Sequence, residues 1–377
     1  MHKIKVLFLI PTLGGGGAER VLVNLVNGMN KNTFDITLQT LFKAGINSSF
    51  LDKDIKLKEG KIKQFSGNVL LMKLFTPSIL YKFFIKEKYD VIISYLEGVT
   101  ARILSGCSDA SIKKISWLHT VYKDEAESYY CFRSKAEALK CYESFDKMVY
   151  VSRDVMKEFL NLYPRLKKNK VIYNTNDDVK IRKLAEESLD DVSLSEVYNI
   201  VTVGRLIQLK GFERLIDVHH KLKKNGIKNH LYILGTGELH EKLRQKIVEN
   251  GDERTVHLLG FCKNPYKVIA RCDVFVCSSF REGFSTAVTE ALILGIPVVT
   301  TCVSGAYEQL GKCNDYGIVT PNSADGLYEG LKTLLDDKSI LHQYKNQAQI
   351  RGKYFSKENS VKSVEDLIGS LCSSILR

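Results

Sequence analysis

The chain has 377 residues, 44% hydrophobic and 26% charged, which allows two domains with separate cores and is ordinary for a globular protein. Its formal charge of +12 favours an acidic partner, but no nucleic-acid module or gathered basic arm is present, so nucleic acid is not expected and an anionic lipid surface or a phosphorylated small molecule remains. No apolar run spans a bilayer, no signal-peptide pattern opens the chain, and nine scattered cysteines without any CxxC read as reduced thiols, so a cytoplasmic protein without a zinc site is expected.

Residues 4–10 (IKVLFLI) form a near-continuous apolar run, as a strand covered on both faces requires. Gly14, Gly15, Gly16 and Gly17 then lead through Ala18, Glu19 and Arg20 into Val21, Leu22, Leu25 and Val26 at helical spacing. Strand, glycine turn and helix leave unpaired N–H groups at the helix start that suit an anion, although a tight βα turn alone would also explain the glycines. Residues 34–41 and 55–57 read as further strands, and Asp52, Lys53 and Asp54 between them as a solvated loop without companion carboxylates.

Residues 53–88 hold nine lysines, from Lys53 to Lys88, interleaved with large apolar side chains such as Leu70, Leu74, Phe75 and Phe83. Such a stretch suits the headgroup region of a membrane; equally, Thr76 and Pro77 can open a helix whose apolar face meets an ordinary core. Residues 91–94 (VIIS) and 114–117 (KISW) are buried-type strands, the second running into Leu118, His119 and Thr120. A lone histidine at a strand end is more often structural than functional. Residues 122–145 are helical in pattern, 147–151 (KMVYV) and 170–173 (KVIY) are strands, and the acidic stretch 177–196 is where a domain boundary is expected.

The second half opens on 198–203 (YNIVTV), followed by Gly204, Arg205 and Leu206, then Lys210 and Gly211 before a helix from Phe212. Two cations bracketing a glycine-containing loop are what a departing diphosphate needs, since fixed positive charge stabilises the charge that develops on it; an ordinary exposed pair is the plainer reading. Residues 230–234 (HLYIL) with Gly235, Thr236 and Gly237 repeat the strand and glycine turn, and 256–260 (VHLLG) is a strand. His219, His220 and His257 read as structural.

Residues 273–277 (DVFVC), 278–285, 286–294 and 296–300 then read as strand, polar loop, helix and strand, a βαβ unit whose first loop lies at the carboxyl edge of a parallel sheet. Glu282 stands just before the helix and Glu290 two turns inside it. A helix N-terminus suits a phosphate, with Gly283 allowing close approach. Carboxylates beside it suit hydroxyls, so the pair suggests a ligand with sugars at both ends, a nucleoside diphosphate sugar. Residues 317–321 are a late strand and 323–377 are helical.

Glu282 and Glu290 with seven residues between them, followed by Ala291 and then Gly295, Ile296, Pro297, Val298 and Val299, resemble the signature of the retaining family 4 glycosyltransferases, which have the GT-B fold. Gly204, Arg205 and Leu206 with Lys210 and Gly211, and Gly16 to Arg20, resemble further motifs of that family. The resemblance implies an α/β chain with two Rossmann-like domains facing across a cleft: an acceptor domain at 1–178, a donor domain at 196–360, and a C-terminal helix at 361–377 returning to the first domain. It implies transfer, with retention, of a sugar from a UDP-hexose or UDP-N-acetylhexosamine to a glycan or lipid-linked acceptor, in cell-surface polysaccharide or glycolipid synthesis.

In that resemblance Arg205 and Lys210 bind the diphosphate, Glu282 the sugar hydroxyls and Glu290 the nucleotide ribose, while Gly283, Phe284 and Ser285 form the donor loop. Gly16 and Gly17 approach the donor diphosphate and the acceptor, and His119 reaches the donor sugar and phosphate. His119, Arg205, Lys210 and Glu282 are the expected catalytic set. No nucleophile is assigned, and neither metal nor other cofactor is expected, because two cations and helix N-termini already meet the diphosphate charge. Two residues depart from the pattern: Ser285 and Thr175 stand where many relatives have proline, and a serine at 285 can cap its helix. Residues 53–88 become a face for peripheral contact with an anionic membrane at the inner side of the cell. The competing reading is a non-catalytic nucleotide- or glycan-binding partner subunit; an epimerase or phosphorylase would need a carboxylate or histidine cluster or a cofactor lysine motif that is not found.

Overall fold

A computed structural model of the chain describes residues 3–189 and 192–373. It divides into two units, one running to Thr175 and resumed from Lys357, the other Asn176–Ser356. Each is a parallel sheet wound with helices.

The first sheet contains β1 (Ile4–Ile10), β2 (Phe34–Thr40), β3 (Lys56–Lys58), β4 (Val91–Ser94), β5 (Lys113–Leu118), β6 (Lys147–Tyr150) and β7 (Asn169–Val171), in the order β3-β2-β1-β4-β5-β6-β7. Val6 to Ile10 are fully buried, as strands with helices on both faces demand. The second contains β8 (Tyr198–Val203), β9 (Asn229–Leu234), β10 (Val256–Gly260), β11 (Val274–Cys277), β12 (Val298–Thr301) and β13 (Ile318–Thr320), in the order β10-β9-β8-β11-β12-β13. Its own core gathers Ile200, Ile216, Leu231, Val276, Leu327 and Leu331 between sheet and helices. Two doubly wound parallel sheets of seven and six strands are two Rossmann-like domains, the expected fold class.

Two stretches differ from the sequence reading in kind and the last helix in its bounds, beginning at 357 rather than 361, with 374–377 outside the described residues. Residues 122–145 are two helices, Glu125–Ser128 and Lys135–Glu143, because a second cap interrupts the pattern: the Ser134 hydroxyl accepts from the Glu137 N–H as Asp124 does from Glu127. Inside the acidic boundary stretch, Asp178–Ala185 is a helix that belongs to the second unit, where Asn264 donates to the Leu184 carbonyl at 2.7 Å and Arg271 to that of Ala185 at 3.1 Å. The final helix, Lys357–Leu371, packs in the first unit against Gly17–Gly28, so closely that a Cβ on Gly28 would lie 2.8 Å from Val361. Glu365 there accepts from the Asn30 N–H at 2.6 Å. All nine cysteines are unpaired, and among the described residues no helix is long and apolar enough to cross a membrane.

Candidate functional site

In the second sheet the chain winds from β8 towards β9 on one side and from β11 towards β12 on the other, so the loops after β8 and β11 part at their carboxyl ends. Such a switch point leaves a crevice in which doubly wound sheets place ligands. The two loops here are 204–211 and 278–285, and they carry Arg205, Lys210, Glu282, Gly283, Phe284 and Ser285. The topology alone therefore brings these six residues to one edge.

Lys210 Nζ donates to Glu282 Oε1 at 2.6 Å, and Ser279 Oγ donates to the same oxygen at 2.5 Å. Burial pulls the Lys210 pKa down, and the Glu282 carboxylate beside it outweighs that effect and leaves it raised, so Lys210 is a fixed cation. Thr202, Lys210, Cys277, Ser279, Glu282 and Ser285 line one small cavity. Arg205, one residue beyond Gly204, is exposed and makes no side-chain hydrogen bond or ion pair among the described residues. Its charge still reaches Lys210, whose pKa it lowers. The edge thus holds one paired cation, one exposed cation and a carboxylate with an oxygen, Oε2, that neither Lys210 nor Ser279 engages.

The loop 278–285 is tied from behind. Arg214 donates to the carbonyls of Ser278 and Ser279 and lies 3.8 Å over the Phe280 ring. Thr301 donates to the Ser279 carbonyl at 2.6 Å, Ser304 to that of Gly283 at 3.0 Å, and the buried Gln309 amide to that of Ser285 at 2.7 Å. The Phe284 ring turns inward, 5% exposed and edge-on to Phe355 at 6.0 Å, so this side chain serves packing. The Ser285 hydroxyl caps the helix Thr286–Ile293, accepting from the Val288 N–H at 3.5 Å, as its replacement of proline suggested. Within that helix Glu290 Oε1 accepts from the Tyr266 hydroxyl at 3.0 Å.

Glycines permit the loop 204–211 to lie close both to the turn after β9 and to the loop 278–285. Gly235 has φ +147°, and a Cβ there would lie 1.8 Å from the Gly204 carbonyl oxygen. Gly211 has φ +65°, and its Cβ would lie 2.2 Å from that of Ser278. Ser279, Arg214, Tyr266 and Gln309 escape sequence reasoning, since none stands in a motif; the only hint is that Arg214 follows the cation-bearing loop by one helical turn.

Gly16, Gly17 and His119 are in the first unit, at the carboxyl ends of β1 and β5. Gly16 caps the helix Gly17–Gly28 without a side-chain bond, and the Glu19 carboxylate folds back to within 2.2 Å of where a Gly16 Cβ would be. That carboxylate already meets the positive helix end, so the loop offers less to a second anion than the glycines suggested. His119 stands beside Tyr95 at 4.7 Å between ring centroids, and its Nε2 has no hydrogen-bond partner among the described residues. Burial pushes its imidazole down to about 3, so the ring is neutral at neutral pH. The His119 backbone N–H donates at 2.9 Å to Glu97, whose carboxyl burial raises to about 7 against the pull of that bond. Among the described residues no group of three or more His, Cys, Asp or Glu could hold a metal ion.

Residues 188–351 match the model for glycosyl transferases group 1, and residues 15–178 that for glycosyltransferase family 4. The chain is 28% identical over 370 residues to a Campylobacter jejuni N-acetylgalactosamine-N,N'-diacetylbacillosaminyl-diphospho-undecaprenol 4-alpha-N-acetylgalactosaminyltransferase, covering 94% of this chain and 96% of that protein. A second C. jejuni α-1,4-N-acetyl-D-galactosaminyltransferase, acting on a diphospho-undecaprenol glycan by its name, is 27% identical over 97% of this chain and 99% of its own. Among solved structures, Anabaena HepE in complex with UDP-glucose superposes with a TM-score of 0.78 at 21% identity, covering 97% of this chain and 100% of that one.

Proposed function

Because the chain belongs to the family 4 glycosyltransferases of the GT-B fold, we propose that it moves a hexosyl or N-acetylhexosaminyl unit from a UDP-sugar to a glycan or lipid-linked acceptor, with retention at the anomeric carbon. The pairing of Lys210 with Glu282 at the switch point carries this reading. A donor brings a diphosphate for the lysine and sugar hydroxyls for the carboxylate, so it satisfies both partners of the pair separately. Arg205 closes on the diphosphate from the open side and stabilises its departure as a leaving group. Glu290, oriented by Tyr266, accepts from the ribose hydroxyls.

In the first unit Glu19 and the loop of Gly16 and Gly17 suit an acceptor hydroxyl better than a phosphate, and the neutral His119 ring suits a sugar hydroxyl rather than a phosphate. No metal is required in this scheme, because Arg205, Lys210 and the N-terminus of the helix Thr286–Ile293 meet the diphosphate charge. The names of the C. jejuni relatives support a diphospholipid-linked acceptor, an N-acetylhexosamine donor and an α-linked product, which from an α-linked UDP-sugar is retention. The HepE complexes with UDP and UDP-glucose support UDP as the nucleotide. The reaction then belongs to cell-surface polysaccharide or glycolipid synthesis on the cytoplasmic side of the membrane.

The test is thermal unfolding with UDP, GDP, ADP or CMP in the presence of EDTA, followed by product detection from UDP-N-acetylgalactosamine and UDP-glucose with a lipid-diphosphate glycan. A selective shift with UDP and a product with inverted-anomer standards excluded bear the proposal out. A folded protein that no nucleoside diphosphate stabilises, or one that binds UDP without turnover on any acceptor, refutes the catalytic reading.

A further inference from the structure

The first sheet has a switch point of its own. Its chain winds from β1 towards β2 on one side and from β4 towards β5 on the other, so the loops after β1 and β4, residues 11–17 and 95–98, part at the carboxyl edge. Glu97 stands in the second of these loops, half-buried, and Gly98, with φ +84°, turns the chain away immediately after it. Glu97 Oε2 accepts from the His119 backbone N–H at 2.9 Å, and the carboxyl also accepts from its own N–H.

Three polar atoms at this edge are left over. Ser94 pairs with Ser116 in the neighbouring strand, which sets the buried Tyr95 beside the buried Trp117 with ring centroids 4.9 Å apart; His119 follows two residues on, 4.7 Å from Tyr95. The Tyr95 hydroxyl, Trp117 Nε1 and His119 Nε2 are buried and have no hydrogen-bond partner among the described residues. Buried polar atoms are normally satisfied, so three together at a sheet edge mark where a polar ligand completes the set.

The charge here is opposite to that of the crevice in the second unit. Residues 11–17, 95–98 and 119–122 contain no lysine or arginine, Glu19 and Glu97 bring two carboxylates, and the charge that reaches Glu97 is that of Glu127, of its own sign. Such an edge repels a diphosphate and attracts the hydroxyl donors of a sugar. The fold itself does not ask for a carboxylate, since a glutamine oxygen would take the His119 N–H equally well. Burial raises the Glu97 carboxyl from 4.5 to about 7, so its ionisation opposes folding as pH rises through that window. A charge held against stability, beside unsatisfied polar atoms, serves a ligand.

We infer that Glu97 selects the acceptor: its carboxylate accepts hydrogen bonds from the hydroxyl groups of the acceptor's terminal sugar, in a crevice that excludes phosphate. This rests on the proposed glycosyl transfer in calling the sugar an acceptor, yet it is read by binding rather than by turnover, so the two can fail separately.

Trp117 is the only tryptophan of the chain, so its emission reports occupancy of this crevice. It is followed while lipid-diphosphate glycans ending in N-acetylgalactosamine, N-acetylglucosamine or glucose, and the same glycans released from the lipid diphosphate, are titrated onto the full chain at pH 6, 7 and 8. Binding of the preferred glycan should weaken about tenfold from pH 8 to pH 6 as Glu97 takes up its proton, and the released glycan should keep that dependence. Around Glu97, burial holds His119 at about 3, Cys131 at about 11 and Tyr122 and Tyr142 well above neutrality, so these groups keep their charge over this range. Glu97→Gln should bind about tenfold more weakly at pH 8 and lose the pH dependence, with an unfolding midpoint no lower than the parent's and an unchanged UDP shift. In turnover its KM for the acceptor should rise while its KM for the UDP-sugar stays. Equal affinity of the folded variant and the parent at pH 8 overturns the inference. So does a parent whose glycan affinity is flat from pH 6 to 8, a measurement that needs no variant to fold. Binding that vanishes with the diphosphate also overturns it, because phosphate then carries the recognition. A UDP shift without any glycan binding overturns this inference alone. Glycan binding controlled by Glu97 without a UDP shift keeps the carbohydrate site and rejects the glycosyl-transfer site.

Discussion

Arg205 and Lys210 stand five residues apart and answer to different physics. Arg205 is exposed with no side-chain partner among the described residues to lose, so Arg205→Ala should leave the unfolding midpoint unchanged while turnover falls about 10²- to 10³-fold, the effect of removing one transition-state donor. Lys210 neutralises a carboxylate that is only 14% exposed, so Lys210→Ala should lower stability by about 1–2 kcal/mol as well as activity. Turnover within a few-fold of the parent for Arg205→Ala would remove it from the diphosphate. On the second acid, Glu290→Ala should weaken UDP binding measured by calorimetry, and Tyr266→Phe should weaken it less, because the carboxylate survives and loses only its orienting bond. His219 sets a pH limit instead. It is 1% exposed, with Nδ1 2.6 Å from Asn229 and Nε2 2.9 Å from Thr255, and burial pushes its pKa down to about 4 from 6.5. The unfolded chain therefore binds this proton more readily, and the stability tied to neutral His219 is present above pH 6.5 and lost as pH falls towards 4. A loss of roughly 2–3 kcal/mol over that window is expected in the parent and a flatter profile in His219→Gln, read from denaturation midpoints.

Among the elements, glycines with positive φ separate strain from mere permissiveness. Gly235 follows β9 with φ +147° and no room for a Cβ against Gly204, so Gly235→Ala should cost several kcal/mol or prevent folding. Gly251 ends the helix His240–Asn250 with φ +68° and nothing within 4 Å, so Gly251→Ala should cost about 1 kcal/mol, the backbone penalty alone. Urea midpoints of the two variants compare them directly; equal losses would mean the Gly204 contact relaxes freely. Elements of this kind are legible in sequence where the pattern is long: the inner strands fall where their apolar runs lie, whereas the short edge strands Lys56–Lys58 and Asn169–Val171 are largely polar, and the caps of Thr76 and Ser285 are readable from one residue. The helix expected at 122–145 is less so: Ser134 with Glu137 three residues on is a capping-box pattern, but it lies inside a longer helical pattern that hides the break before it.

Each unit of the whole molecule has its own parallel sheet and its own buried residues, and the proposed nucleotide residues belong to the second alone. Calorimetry should accordingly show UDP, at about 100 times its dissociation constant, stabilising the second unit by about 2.7 kcal/mol. A shift confined to a transition that Arg205→Ala and Glu290→Ala leave untouched would locate UDP elsewhere.

Local order in the chain determined the two doubly wound halves, the glycine turns and the acids and cations of the motifs, because apolar period, capping and backbone sterics are properties of neighbouring residues. Only the tertiary structure decided which of these side chains meet. Lys210 and Glu282 are 72 residues apart, Tyr266 and Glu290 are 24, and Gln309 reaches back 24 to Ser285. Arg102, an unremarked cation in the sequence, is the buried pin of the turn between the helices Asn68–Lys73 and Pro77–Phe84, through the carbonyls of Met72 and Phe75. These contacts follow from strand order and from loops that part at a switch point, and order within a parallel sheet is written in the packing of whole elements rather than in the residues on either side of a turn.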